Sequence, residues 1–248
     1  MNINLKLLPL AALALFAFAS SANTDNCEHV PYGKPAQNTT DFCREGYALG
    51  YDMELKSAKW VSYKLLRDLK GGVDRQDDFR EDPDIPSRYR TTVKDYVEPT
   101  YDMGHLGNSE SIDQSVRANS ETFLMSNMVP QLPGHNRSIW KGLENRERKY
   151  ANKLGMVYVF VGPVYSKPLH YIGNKVPVPS ALWKVIYSPS NNQVIAFLIP
   201  HEKLKTSQLN KYLVSVDEIE RVSGLDLFES FDDVKENSLE SFTSPKQW

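Results

Sequence analysis

The hydrophobic pattern predicts a mixed α and β chain. Ala58 to Leu66 and the runs Met156 to Tyr165, Leu182 to Tyr187 and Gln193 to Ile199 are short, rich in Val, Ile, Phe, Tyr and Trp, and strand-like, so they predict a central sheet. From about Arg137 to Leu154 the period changes. Ile139, Leu143, Tyr150 and Leu154 fall three, four or seven apart, which predicts an amphipathic helix packed on that sheet. Ser215, followed three residues later by Glu218, spells a capping box, and Gly224 supplies a stop. Together they predict a short helix over Val216 to Ser223.

Between these elements the segment from Gly71 to Tyr96 is dense in charge and proline and predicts a long surface loop. Tyr101 to Asn136 is broken into short pieces by Gly104, Gly107, Pro130, Pro133 and Gly134. The first 22 residues differ from everything after them. One lysine, Lys6, precedes an apolar run from Leu7 to Ala19 and then small residues, the pattern of a secretory signal cleaved after Ala22, with Ala19 as second choice. No later stretch approaches 18 apolar residues, so no membrane anchor is expected. Residues 23 to 248 carry no repeat or linker and are expected to form a single domain. The two cysteines, Cys27 and Cys43, lie close together in an exported chain and are expected to form a disulfide. No CxxC pair or HExxH spacing suggests a zinc centre, which argues against a zinc hydrolase.

Charge changes the picture only locally. Without Lys6 the chain has 28 Lys+Arg against 31 Asp+Glu, a balance that does not announce a nucleic-acid binder. Residues 136 to 153, however, hold six cations against Glu144 and Glu147. Residues 217 to 240 hold nine acids against Arg221 and Lys235, so a positive segment is offset by an acidic C-terminal part. Each feature has a plain alternative: a charge run is commonly a solvated face, and Glu144 with Arg148 is a possible helix-surface ion pair. Asn136-Arg137-Ser138 and Asn38-Thr39-Thr40 spell glycosylation sequons, and Ile139, Trp140 and Leu143 are expected in the core.

The candidate chemistry lies in ordered pieces: Asp102-Met103-Gly104-His105, then Ser126-Asn127 with Pro130-Gln131, then Asn136 with Trp140, Leu143-Glu144 and Arg148. Further on stand Val161-Gly162-Pro163-Val164-Tyr165 and the stretch Pro179 to Ile186. This order resembles the DNA/RNA non-specific endonucleases, the ββα-metal nucleases that include secreted bacterial enzymes and nucleases of the endonuclease G type. The resemblance implies an α+β fold with a central, largely antiparallel sheet flanked by helices and long loops. It also implies an Mg2+-dependent endonuclease, with Mn2+ able to substitute, acting on DNA and RNA with little sequence preference and leaving 5′-phosphate ends.

By the same resemblance His105 is the general base and Asn136 the protein ligand of the metal. Glu144 would hold metal-bound water, Arg148 would offset phosphate charge, and Asn127 and Arg75 would be further active-site residues. If residues 136 to 144 were all α-helical, Asn136 and Glu144 would stand about 12 Å apart along the axis. Asn136 is therefore expected in the turn before a helix that starts near Ser138. The sequence departs from the family at Met103, where an arginine is usual. That departure sustains a rival reading, a secreted nucleic-acid-binding homologue with weak or no cleavage. Export to periplasm or medium is expected; the oligomeric state, a homodimer among the options, is left open.

Overall fold

The protein is described by a computed structural model covering residues 26–67, 72–97 and 100–244. The signal segment 1–22 lies outside the described residues. In chain order the strands are β1 (Thr40–Cys43), β2 (Ala48–Asp52), β3 (Ser57–Leu66) and β4 (Asp102–His105). Helix α1 (Val116–Glu121) precedes β5 (Met128–Gln131), and a π-helical turn, His135–Trp140, runs directly into α2 (Lys141–Leu154). There follow β6 (Met156–Val164), β7 (His170–Ile172), β8 (Val176–Val178), β9 (Ala181–Ser188) and β10 (Gln193–Pro200). The chain ends with β11 (Leu213–Val214), α3 (Val216–Ser223) and α4 (Asp233–Glu240).

Seven strands form an antiparallel sheet in the order β1-β2-β3-β6-β9-β10-β11, while β4-β5 and β7-β8 make separate ribbons. Both faces of the large sheet are covered. In β6, Val157, Val159 and Val161 enter one core and Tyr158 and Phe160 the other; in β10, Ile195, Phe197 and Ile199 alternate with Val194 and Ala196. This is why these strands read as continuous apolar runs without polar alternation. The first core receives Ile139, Trp140, Leu143 and Tyr150 from the π-turn and α2. The second receives Val216 and Ile219 from α3 and Leu239 from α4.

The four predicted strands are found as β3, β6, β9 and β10 within a residue or two. Helix α3 has the predicted bounds: Ser215 Oγ accepts from the Glu218 amide at 3.2 Å, and Gly224 closes the helix in the left-handed conformation at φ 69°. The box itself is only half made, because the Glu218 carboxylate takes Arg221 at 2.6 Å instead of turning back to the cap. The start of α2 also departs from expectation. Asn136 lies within helical backbone, in a π-turn whose wider ring still hands the chain to α2 without a break. Gly71 to Tyr96 carries, among its described residues, two short 3-10 turns, Ser87–Tyr89 and Val93–Tyr96, and an isolated bridge from Arg80 to Leu124.

Cys27 and Cys43 are bonded, with Cα atoms 6.0 Å apart, which joins the N-terminal segment to the edge strand β1. One charged pair sits inside the first core. Lys184 of β9 lies between Leu182 and Ile186 on the α2 side of the sheet, fully buried and bonded to the equally buried Glu147 of α2. The Lys184 ammonium also stands 5.0 Å from the Trp140 ring, and Tyr63 donates to Glu147 Oε1 at 2.7 Å. Removing the lysine alone strands a buried carboxylate. Lys184→Met should therefore cost about 3–5 kcal/mol in urea unfolding, and adding Glu147→Gln should return part of that loss. A loss below about 1 kcal/mol for Lys184→Met would show that the pair does not govern the core.

Buried imidazoles are the second polar feature. His135 has no exposed surface, stacks on Trp140 at 5.6 Å and faces Gln131 Oε1 through Nδ1 at 3.3 Å. Burial pushes its pKa down to about 3, so the folded protein keeps it neutral where the unfolded chain protonates below about pH 6.5. The unfolded state then binds more protons, so the stability owed to this group is full above pH 6.5 and drains as pH falls towards 3. His135→Phe lacks that drain. Between pH 7 and pH 5 its stability relative to the parent should move in its favour by about 2 kcal/mol, read from paired urea titrations.

Candidate active site

The site is built on one local unit: ribbon β4-β5 followed by the π-turn and α2. Its register pairs Asp102 with Gln131, Met103 with Pro130, Gly104 with Val129 and His105 with Met128. Gly104 is required by close packing, since a Cβ there would come within 2.4 Å of the Gln131 side chain, which is itself fully buried. After β5 the turn is fixed by His201, whose Nε2 accepts the Leu132 amide at 2.7 Å while Nδ1 donates to the Pro179 carbonyl at 2.9 Å. The amides of His135 and Asn136 both return to Leu132 O at 2.9 Å, which places Asn136 at the head of the helical segment.

Asp102 and His105 stand at the two ends of β4. The Asp102 carboxylate accepts Asn136 Nδ2 at 2.9 Å and takes Arg137 through two bonds, at 2.9 and 2.5 Å. Using the donor side of the Asn136 amide leaves its carbonyl oxygen available to a hard cation. His105 is boxed by Phe79 and Phe123, with ring centroids 5.7 and 5.0 Å away, and its Nε2 is buried without a hydrogen-bond partner among the described residues. Burial first, and then the nearby Arg75 charge, push the imidazole down to about 3, so it is neutral across the physiological range.

Arg75 is thus brought to His105. Its guanidinium lies 4.7 Å over the Phe123 ring and donates to Ser109 Oγ at 2.6 Å and to Asp77 at 2.7 Å. On α2, Glu144 is half-buried. Its carboxyl is pushed up to about 8, chiefly by desolvation and then by the charges of Glu147 and Glu110, with Lys184 and Arg148 opposing. Glu144 and Arg148 share the helix face expected of residues four apart, yet the guanidinium bonds Glu110 at 2.8 Å and Asn145 at 2.5 Å rather than Glu144. The reading of that pair as a surface ion pair is therefore set aside.

Asn127, expected as a further active-site residue, has no exposed surface, and its amide is bonded to backbone. Nδ2 donates to Gly107 O and Thr122 O at 2.9 and 2.8 Å, and Oδ1 accepts the Gly107 amide at 2.8 Å. Its work is to hold the chain leaving His105. That chain continues as Asn108-Ser109-Glu110-Ser111, a loop that sequence reasoning missed. Ser109 takes Arg75, Glu110 takes Arg148, and Ser111 donates to Glu147 at 2.6 Å. The run of small and acidic polar residues directly after the D-x-G-H segment was the available signal. Asp102, quoted as part of the motif, likewise had no role until Asn136 was seen bonded to it. Met103 is half-buried opposite Pro130, and the strand's start holds a cation through Asp102, which pairs Arg137, whose side chain is 71% exposed.

A half-buried, neutral imidazole beside a guanidinium, an amide oxygen freed for a hard cation, and a carboxyl and a second guanidinium on the adjoining helix face make a set suited to attack on a phosphodiester. Comparison with known proteins agrees. Residues 25–234 match the family described as DNA/RNA non-specific endonuclease. The chain is 35% identical over 209 residues to a nuclease of Nostoc sp., covering 79% of this chain and 75% of that protein. With human mitochondrial endonuclease G it shares 33% over 199 residues, 73% of this chain and 67% of the other. Among solved structures, that of an EndoG/EndoGI complex superposes with a TM-score of 0.76 at 27% identity, over 82% of this chain and 91% of that one. The ββα unit, the antiparallel sheet and these likenesses agree, and the chain belongs to the DNA/RNA non-specific endonuclease family, the nucleases that hydrolyse phosphodiester bonds.

Proposed function

We propose that this protein is an exported, Mg2+-dependent endonuclease that cuts both DNA and RNA with little sequence preference and leaves 5′-phosphate ends. The observation that carries the reading is the β4 strand, which supplies the imidazole at one end and, through Asp102, the orientation of Asn136 at the other. Residues 23 to 248 act as one domain. Export is supported by the Cys27–Cys43 bond, which an oxidising compartment favours, together with the signal-like first 22 residues.

His105 is the general base. Its unpartnered Nε2 accepts a proton from the attacking water, and a ring kept neutral is always in the accepting form. Asn136, with its amide oriented by Asp102, would hold the metal, and Glu144 would ionise and bind metal-bound water when the cation's charge arrives. These donors fit a hard ion that keeps most of its water: one amide oxygen, one carboxylate nearby and no thiolate or imidazole set. Mg2+ held there, or Mn2+ in its place, would supply charge neutralisation to the phosphodiester being cut. Arg75 and Arg148 are each held by a serine or acidic partner at the rim and offset phosphate charge.

Mature protein incubated with supercoiled plasmid and with RNA should degrade both in Mg2+ and neither in EDTA; binding without cleavage in Mg2+ would favour the non-cutting homologue instead. His105→Ala should lower turnover by about 10²–10⁴ while nucleic-acid binding, followed by gel shift, stays near the parent value. Near-parental turnover for that variant would refute the base assignment. Asn136→Ala should act differently, raising the Mg2+ concentration needed for half-maximal rate as well as lowering the rate, and an unchanged metal dependence would remove Asn136 from the metal.

A further inference from the structure

Beyond Arg148 the face of α2 opens into a cavity of about 610 Å3 that the chemistry above does not use. Its walls come from the end of β3 and the residue after it (Lys64, Leu66, Arg67), from the second half of α2 (Arg148, Asn152) and from Glu110 of the loop after β4. Glu110 and Arg148 bond each other at the rim of the active site, so cavity and site share a border. The volume lies within the range of about 300–1,000 Å3 usual for small-molecule sites and admits a nucleotide.

The cations along this border are spaced like the charges of a strand. Arg67 Nε donates to Asn152 O at 2.9 Å, which hangs its guanidinium one helical turn past Arg148 and leaves both Nη groups without a partner among the described residues. Four residues at 1.5 Å make about 6 Å along α2, close to the step between neighbouring phosphates of an extended strand. Lys64 stands on the same wall, and Leu66, 56% exposed beside these charges, offers an apolar face to a sugar or base.

The acids of the cavity do not close it to a phosphate. Glu28 pairs Lys64 at 3.1 Å and Glu110 pairs Arg148 at 2.8 Å, while Asp113 packs against the Gly72 backbone, where no side chain would fit. Both pairs are partly exposed. Such pairs hold weakly, and a phosphate, with more acceptor oxygens than a carboxylate, can take over the cation.

We propose that this cavity is a strand-binding subsite that, given the nuclease reading above on which it rests, holds the nucleotide next to the cut, with Arg67 and Lys64 on that nucleotide's phosphate. Arg67 also has a structural duty, since its amide and Nε bond the Gly155 and Asn152 carbonyls at the end of α2. The two duties are separable. Glutamine places an N–H donor where arginine has Nε, so Arg67→Gln keeps the bond to Asn152 and removes the charge; Lys64→Met likewise keeps the apolar stem.

The test compares the mature protein with Arg67→Gln, Lys64→Met and the double variant. Cleavage of single-stranded oligonucleotides of increasing length is measured in Mg2+ across a KCl series, and binding of the same strands in EDTA is followed by fluorescence anisotropy. On long strands the double variant should raise KM roughly tenfold, with kcat within about twofold of the parent. The slope of log(kcat/KM) against log[KCl] should become shallower by about 0.7–1.4, the release of one or two fewer counterions from a single strand. The KM difference should shrink as the strands shorten, Arg67→Lys should keep most of the parent's affinity, and the thermal melts should match. A parent that cuts these strands while the double variant equals it in KM and salt slope overturns the subsite and leaves the nuclease reading standing. A lowered melt with an unchanged salt slope overturns it as well and leaves Arg67 as a helix cap. If the parent binds without cutting, the nuclease reading falls and the salt slope of the anisotropy decides the subsite in the same way; a parent that does neither overturns both.

Discussion

The rest of the site depends on an ion pair that faces no solvent. Lys184 and Glu147 are both fully buried, one on β9 and the other on α2, and Tyr63 and Ser111 complete the carboxylate's bonding from β3 and from the loop after β4. Such a pair gains little net stability, because two ions must be taken out of water, but it tolerates few arrangements. A helix packed by Ile139, Leu143 and Tyr150 alone could rotate or slide at modest cost, whereas Glu147 can meet Lys184 in one orientation only. Glu144 stands one turn before Glu147 and Arg148 directly after it on the same rigid helix, so the pair also sets where both stand. Through Ser111 it reaches the loop that carries Glu110 and Ser109, and through them Arg148 and Arg75.

Much of this was legible in the chain and some was not, for physical reasons. The central strands were readable because a sheet buried on both faces needs continuous apolar runs, and α2 and α3 because period and cap chemistry are local properties. The ribbon β4-β5 and the helices α1 and α4 were not. Their segments are four to eight residues long and carry few apolar positions, and they are held by bonds to distant parts of the chain such as the Gln76 amide to Asn119 Oδ1 at 3.0 Å. The π-turn escaped because an inserted residue in a helix leaves the apolar spacing nearly intact. Ile139 and Leu143 still point inward while Asn136 is carried to Asp102.

The site residues divide the same way. His105, Asn136, Glu144 and Arg148 were picked out by their resemblance to the family's ordered motifs, and Arg75 by the same resemblance across a variable loop; the fold places Arg75 beside His105 and bonds Asn136, in the π-turn, to Asp102 at the start of β4. Asn127 was picked out with them and turns out to serve the backbone. A buried asparagine that satisfies three backbone groups and one that meets substrate look alike in sequence, since both need the same amide in the same place. Asp102 shows the converse: sequence assigned it no role beyond its place in the motif, yet its carboxylate binds Asn136 and Arg137, and this pairing keeps a guanidinium beside a strand whose second residue is methionine.

Burial also sorts the two titrating groups of the cleft. The same loss of water that drives His105 down to about 3 drives Glu144 up to about 8, because one is cationic and the other anionic in its charged form. Both are therefore neutral at pH 7 before substrate or cation arrives, a state that costs the fold least. Arg75 reinforces the shift at His105, whereas at Glu144 the neighbouring charges are mixed, Lys184 and Arg148 opposing what burial, Glu147 and Glu110 favour. A neutral imidazole accepts a proton readily only if negative charge comes close, and a neutral carboxyl gives one up readily only if positive charge does. In the proposed reaction, a phosphate and its counterion arriving together would change both protonation states, coupling the chemistry to occupancy by both.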